Sequence, residues 1–201
     1  MSETASSGTL RRREVVPALL ADRGELLVVA GLGAPAWDIT AAGDHPRNLP
    51  LWGGMGGAAM IGLGLALAQP KVPVLVITGD GEMLMSLGAL ATIAVARPAN
   101  LSVVVLDNEH YGETGMQPTH TGAGVDLAGI ARAAGFPQAS RVEAMDDIAA
   151  LRDAVHRCDG PLFAQVKINA EALPLVLPPR EGALLQARMR ESLLGPEAHL
   201  A

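Results

Sequence analysis

Residues 72–108 read VPVLVITGDGEMLMSLGALATIAVARPANLSVVVLDN, and their pattern sets the fold class. Val72 to Thr78 is a short apolar run rich in β-branched residues, which predicts a buried strand. Gly79-Asp80-Gly81 predicts a tight turn, and Glu82 to Arg97 a helix. Leu101 to Leu106, carrying Ser102-Val-Val-Val-Leu106, predicts a second buried strand. Two strands joined by so long a helix make a parallel βαβ unit with a right-handed crossover.

The same punctuation continues outward on both sides. Upstream, Arg11 to Ala21 predicts a helix, Glu25 to Ala30 a strand, Gly31 to Pro35 a turn and Ala36 to Ala42 a short helix. A glycine-rich loop then leads into a helix over Gly56–Ala68. Downstream of a long polar loop, Val125–Ala134 and Met145–Arg157 read as helices and Leu162 to Ile168 as a third buried strand. Prolines follow from Glu171, and a charged helix is expected near Gly182–Leu194. Strands alternating with helices predict an α/β fold of three layers, a doubly wound and mostly parallel sheet with helices on both faces. The organisation expected is a disordered tail at 1–9, one domain at 10–175 and a helical extension at 176–201.

Composition agrees with this class. Hydrophobic residues make up 49% of the 201 but aromatics only 2%, so the core must be built from aliphatic side chains packed closely beside 23 glycines. A net charge of -6 argues against nucleic-acid binding, and the one tight basic cluster, Arg11-Arg12-Arg13, reads as a solvated tail or helix start. Cys158 is the only cysteine, which excludes an internal disulfide and a cysteine-ligated cluster. Asn48 to Pro70 carries no charge, yet six glycines (53, 54, 56, 57, 62 and 64) and Pro50 make it a poor membrane span. The start at Met1-Ser2-Glu3-Thr4 lacks the order of a signal peptide, so a cytoplasmic protein with no membrane partner is expected.

In an open α/β sheet, ligands gather beyond the carboxyl ends of the strands. Asp80 follows one strand and Asn108 the next, 28 positions later (108 − 80), so both side chains emerge on one edge. A carboxylate and an amide oxygen are hard ligands of limited charge. They suit Mg²⁺, which takes its remaining ligands from phosphate and water. Gly79 and Gly81 permit a sharp turn, and Gly81 opens a helix whose free N–H groups face an anion. The constellation predicts a metal-bridged diphosphate.

These residues resemble the thiamine diphosphate (ThDP) motif of the pyruvate decarboxylase and acetolactate synthase superfamily, which runs from Gly-Asp-Gly to Asn. The resemblance implies Mg²⁺ ligation by the side chains of Asp80 and Asn108 and by the His110 carbonyl, with Gly79, Gly81, Glu82, Met83, Tyr111 and Gly112 also at the cofactor. Asp107 stands where many relatives have Asn, and Glu82 where many have a small residue. A carboxylate at 82 must point away from a diphosphate, leaving contact to the backbone N–H. Leu51-Trp52-Gly53-Gly54-Met55-Gly56 is similar to the segment that seats the cofactor's aminopyrimidine, through the Gly53 carbonyl, the Met55 N–H and a wedge formed by the Met55 side chain.

Tyr111-Gly112-Glu113-Thr114-Gly115 with Gln117-Pro118-Thr119 resembles the sulfopyruvate and phosphonopyruvate decarboxylase branch, over roughly residues 25–170. That implies decarboxylation of a 2-oxo acid with an anionic group at C3, carried out by a β subunit. The Glu that activates the cofactor in this superfamily lies on a pyrimidine-binding domain, for which this chain has no room, so an α subunit in an assembly of at least α2β2 is expected. His120 is the candidate for anion recognition or proton transfer, while His110, Glu113 and Gln117 are further loop candidates. Glu113 reads as structural or cofactor-facing, because the expected substrate is a dianion. His45 and Arg47 precede the pyrimidine loop and are expected near the entrance. Carboligation of the acetolactate synthase kind is the alternative chemistry, and a non-catalytic ThDP-binding or assembly protein is the alternative class. A ferredoxin-linked oxidoreductase β subunit would share Gly-Asp-Gly but usually supplies cluster cysteines.

Overall fold

The computed structural model describes residues 8–199; the expected tail at 1–9 therefore lies mostly outside the described residues. The chain begins with α1 (Arg12–Leu19), β1 (Leu27–Ala30), α2 (Ala34–Ala41), β2 (Asn48–Pro50) and α3 (Ala58–Ala68). Next come β3 (Val74–Gly79), α4 (Asp80–Met85), α5 (Gly88–Ala96) and β4 (Leu101–Asp107). A small hairpin of β5 (His110–Tyr111) and β6 (Gln117–Pro118) precedes a 3-10 turn at His120–Ala123. The chain closes with α6 (Leu127–Ala134), β7 (Gln138–Val142), α7 (Asp146–Arg157), β8 (Leu162–Lys167) and α8 (Gly182–Leu194).

Six strands form one parallel sheet in the order β2-β1-β3-β4-β8-β7. Its two faces are covered by separate apolar clusters. One gathers residues of α3, α5 and α6, such as Leu63, Ile93 and Leu127, and the other residues of α1, α2 and α7, such as Val16, Ile39 and Ile148. The expected three layers are present. Two short strands, β2 and β7, were not legible: β2 has three residues, and β7 is a half-exposed edge strand with no apolar run.

Scarce aromatics leave the core to aliphatic contact, with Phe136 and Phe163 meeting edge to face at 6.0 Å. Close approach replaces bulk where α3 crosses β3. A Cβ on Gly62 would collide with a Val76 methyl. This explains Gly62 as a packing requirement, and among the described residues no helix is long and apolar enough to cross a membrane.

The structure corrects three local expectations. There is no turn at 79–81: β3 passes directly into α4 at Asp80, and Gly79 is extended at φ -90, ψ 161. The single helix expected over 82–97 is broken at Ser86 (φ -136, ψ 44), where Ser86 and Gly88, both poorer helix formers than Ala, lie together. The Arg11–Arg13 cluster does start a helix, but Arg12 is only 7% exposed and is not a solvated tail residue.

The sheet changes winding direction between β1 and β3: β2 lies beyond one and β4 beyond the other. Accordingly α2 leaves β1 for one face while α4 leaves β3 beside the other cluster. A crevice opens where adjacent connections diverge in this way.

Candidate functional site

The cavity at this switch point takes one wall from Gly79, Asp80, Gly81 and Glu82 at the β3–α4 junction. Asn108 and the hairpin residues His110 to Thr114 form a second. Leu32, Ala34 and Pro35, at the start of α2, and Arg12 of α1 close a third side, with Met55 at the rim. Nine of the expected cofactor residues therefore meet: Met55, Gly79, Asp80, Gly81, Glu82, Asn108, His110, Tyr111 and Gly112.

Asp80 is 1% exposed, and one carboxylate oxygen, Oδ2, is held by the hydroxyls of Thr119 and Thr121. Oδ1 has no hydrogen-bond donor among the described residues, so it is available to a cation. Burial pushes the Asp80 carboxyl up to about 6; the Thr119 hydroxyl opposes the rise and the charge of Asp107 adds to it. Thr121 has a single hydroxyl proton for two acid neighbours, Asp80 Oδ2 and Asp107 Oδ1, so the two buried carboxylates compete for it.

Asp107, fully buried, is compensated from behind. Its Oδ2 accepts from Gln165 at 2.6 Å and from the Lys167 ammonium at 2.9 Å, and its Oδ1 from Thr121 and the Glu109 N–H. Lys167 also pairs with Glu109. The acid at this position is thus matched by a buried cation on β8, which fixes the strand ends around the site.

Asn108 accepts the His110 N–H at 3.0 Å, leaving its amide oxygen a second lone pair. The hairpin register places His110 opposite Pro118, which has no N–H to offer the His110 carbonyl. The His110 ring is tied back to the Asn108 carbonyl at 2.8 Å. Gly81 is required for space rather than for a turn: a Cβ there would lie 2.5 Å from the Tyr111 ring. The Glu82 carboxylate reaches the glycine-rich loop. Oε1 accepts from the Gly56 N–H at 3.2 Å, bracing the glycine-rich loop, and burial pushes this carboxyl up.

Other candidates are placed elsewhere. Met83 is packed in the core at 2% exposure, so only its backbone is near the site. Gly53 is exposed in the open loop and does not line the cavity. His120 is exposed outside the cavity, although its neighbours Thr119 and Thr121 both hold Asp80. Gln117 closes the hairpin tip through Thr114. His45 and Arg47 do not reach the entrance: Arg47 binds the Glu25 and Ser192 carbonyls and supports the α8 side of the sheet. Sequence reasoning missed Arg12, Asp38, Thr119, Thr121, Gln165 and Lys167. Lys167 and Gln165 did carry a signal, because polar side chains within a buried parallel strand need partners.

Over residues 38–166 the sequence matches the family model described as thiamine pyrophosphate enzyme, C-terminal TPP binding domain. The chain belongs to this thiamine pyrophosphate enzyme family. It is 38% identical over 160 residues to sulfopyruvate decarboxylase subunit beta of Methanothermobacter thermautotrophicus, covering 80% of this chain and 83% of that protein. It is 36% identical over 146 residues to phosphonopyruvate decarboxylase of Streptomyces viridochromogenes, where the match covers 73% of this chain but only 36% of the relative. Among solved structures, benzoylformate decarboxylase of Polynucleobacter necessarius shares the fold with a TM-score of 0.65 at 22% identity, over 83% of this chain and 34% of that one.

Proposed function

We propose that this chain is the β subunit of a ThDP- and Mg²⁺-dependent decarboxylase of a 2-oxo acid bearing an anionic group at C3, sulfopyruvate or phosphonopyruvate. The observation that carries the reading is Asp80, buried at the strand edge with one oxygen fixed by two threonines and the other free, in a chain similar to sulfopyruvate decarboxylase β subunits along most of its length.

The donor set fits the group. A carboxylate oxygen, an amide oxygen and a backbone carbonyl are hard ligands, and they leave positions for phosphate oxygens and water around a small octahedral cation. Among the described residues no three His, Cys, Asp or Glu side chains gather into a metal cage, so a cation here needs the diphosphate to complete its shell. Asp80, Asn108 and the His110 carbonyl would hold Mg²⁺, and the N–H groups opening α4 would face the diphosphate. Bound ThDP would supply the carbon nucleophile and the electron sink that decarboxylation of a 2-oxo acid requires. This chain's residues anchor and orient: the Thr119 and Thr121 hydroxyls fix Asp80, Glu82 holds the Gly56 loop, and Met55 is free to support the pyrimidine. His120 lies outside the cavity, and a catalytic role for it would require the substrate to approach from the partner's side.

The activating Glu is expected on a pyrimidine-domain α subunit. Support comes from the surface as well as from relatives named as β subunits. The exposed positions of α3 and α5 carry no charge: Met60, Ile61 and Leu67 on α3 and Val95 on α5 are exposed, Val95 at 85%, and Met85 is exposed at the end of α4. An uncharged apolar face of this extent marks an interaction site. The test is reconstitution. The chain alone should release no CO₂ from either substrate, and the chain with a pyrimidine-domain partner should release it from one of them. Robust decarboxylation by the isolated chain would refute the two-subunit reading, and acyloin in place of aldehyde would refute decarboxylation as the outcome.

A further inference from the structure

Beyond Ile168, which lines the cavity, the chain runs from Asn169 to Glu181 without helix or strand. This strap crosses the carboxyl edge of the sheet and is tied down along its length. The Asn169 N–H donates to the Leu10 carbonyl at 2.8 Å, Glu171 pairs with Arg11 at 3.1 Å, and the Pro174 carbonyl accepts from Arg13 at 2.9 Å. At its far end the Pro179 carbonyl accepts the Trp52 indole N–H at 2.8 Å. Helix α8 is then anchored beside β2, where Arg188 pairs with Asp44 at 2.6 Å. Arg180 is therefore fixed between Pro178-Pro179 and a docked helix, over the loop that follows β2.

The Arg180 guanidinium lies over the Trp52 ring, 5.7 Å from its centroid. A guanidinium held against a ring face keeps its in-plane N–H donors available to a second partner. Among the described residues Arg180 has no carboxylate partner and no hydrogen bond. Arg23, Lys71, Arg97 and Arg190 also lack a carboxylate partner among the described residues. The first three precede β1, β3 and β4 and so lie at the amino edge, and Arg190 is held by the Ala198 carbonyl. Arg11, Arg12, Arg13 and Lys167 each belong to an ion pair. Arg180 is thus the one uncommitted Lys or Arg at the carboxyl edge among the described residues, and its support, Trp52, stands three positions before Met55 at the cavity rim.

The cavity is lined by the acids Asp80, Glu82 and Glu113, and by Arg12, which Asp38 binds through both oxygens. A substrate with two negative charges meets a repulsive field there unless a cation receives one of them. Its carboxylate must leave as CO₂, so tight binding of that group would oppose the reaction. The C3 group keeps its charge from substrate to product, and a fixed cation can hold it throughout. We propose that Arg180 is that cation: its guanidinium, supported by Trp52, receives the sulfonate or phosphonate oxygens and selects 2-oxo acids that carry an anion at C3. This rests on the decarboxylase reading above.

The test is steady-state kinetics of the chain assembled with its pyrimidine-domain partner, on sulfopyruvate, phosphonopyruvate and pyruvate. Arg180 is exposed, so Arg180→Gln should melt with the parent. The C3 contact is the same in ground and transition states. Its loss should raise KM for the preferred C3-anionic acid at least about tenfold and leave kcat within about twofold. Turnover of pyruvate, which has no anion at C3, should not change. Sulfoacetate or phosphonoacetate, matched to the preferred substrate but without a ketone to react, should inhibit the variant about tenfold more weakly than the parent. Arg180→Lys keeps the charge without the planar fork and should fall between the two. An unchanged KM, a loss confined to kcat, or an equal loss on pyruvate overturns the proposal while leaving the decarboxylase reading intact. No CO₂ from either C3-anionic acid with the parent assembly overturns both.

Discussion

Replacing Asp80 by Asn should stabilise the metal-free chain at neutral and alkaline pH while abolishing its grip on the cofactor. The carboxyl is raised from the usual 3.8 to about 6 by burial first, so native protein holds a proton there that the unfolded chain releases. For an acid raised in this way, the favourable contribution is complete below the unfolded value and is lost as pH rises through the folded one. A rise of this size corresponds to about 3 kcal/mol in full. About half is already lost by pH 5, and most of the remainder, on the order of 1 kcal/mol, is lost between pH 5 and pH 8. An asparagine fills the same space, cannot ionise, and still offers an oxygen to Thr119. The advantage of Asp80→Asn over the parent in urea unfolding, measured with a chelator present, should therefore grow by on the order of 1 kcal/mol from pH 5 to pH 8. Adding Mg²⁺ and ThDP should reverse the order, since only the parent gains from ligand binding. A stability difference between Asp80→Asn and the parent that does not vary with pH would show that Asp80 is not a strained buried acid.

Two further substitutions probe the frame of the site. Lys167→Met leaves Asp107 buried without its cation and should cost about 3–5 kcal/mol by urea midpoint; adding Asp107→Asn should recover most of it, and a double variant no better than the single would dismiss charge matching as the reason for Lys167. Gly81→Ala brings a methyl 2.5 Å from the Tyr111 ring and should cost about 1–3 kcal/mol as well as weakening Mg²⁺-pyrophosphate binding. Gly79→Ala is its control, because nothing lies within 4 Å of the added Cβ and φ is -90.

The parallel sheet and the pairing of Asp80 with Asn108 were legible because they depend on local patterns, apolar runs and their punctuation. The residues that make Asp80 usable were not. Thr119 and Thr121 lie 39 and 41 positions from Asp80, in a polar loop whose composition suits many conformations. Arg12 looked like one of three solvated arginines, since nothing adjacent in sequence announces Asp38, 26 positions away, as its partner. The glycines were read correctly as significant but for the wrong reason at Gly81, where the constraint is a ring from another element rather than a backbone angle. Long-range steric and proton-sharing demands leave little trace in a window of neighbouring residues.

The two ends of the cofactor site differ in how far this chain completes them. Around the proposed diphosphate end, Asp80, Asp107 and Lys167 are at most 3% exposed and linked through hydroxyls and an amide, so the ligand geometry is set before anything binds. Around the expected pyrimidine seat, Met55 is 37% and Trp52 39% exposed, and nothing lies within 4 Å of a Cβ on Gly53 or Gly54. Among the described residues, Trp52 is held from the C-terminal side, by the Pro179 carbonyl at 2.8 Å and by Arg180 over its ring. A seat with one wall can place an aromatic ring but cannot exclude water from it, and electrostatic activation of the ring requires that exclusion. If a partner supplies the missing wall, its contribution should appear at the ring end: it should tighten ThDP binding far more than pyrophosphate binding, because pyrophosphate uses only the end that this chain builds by itself.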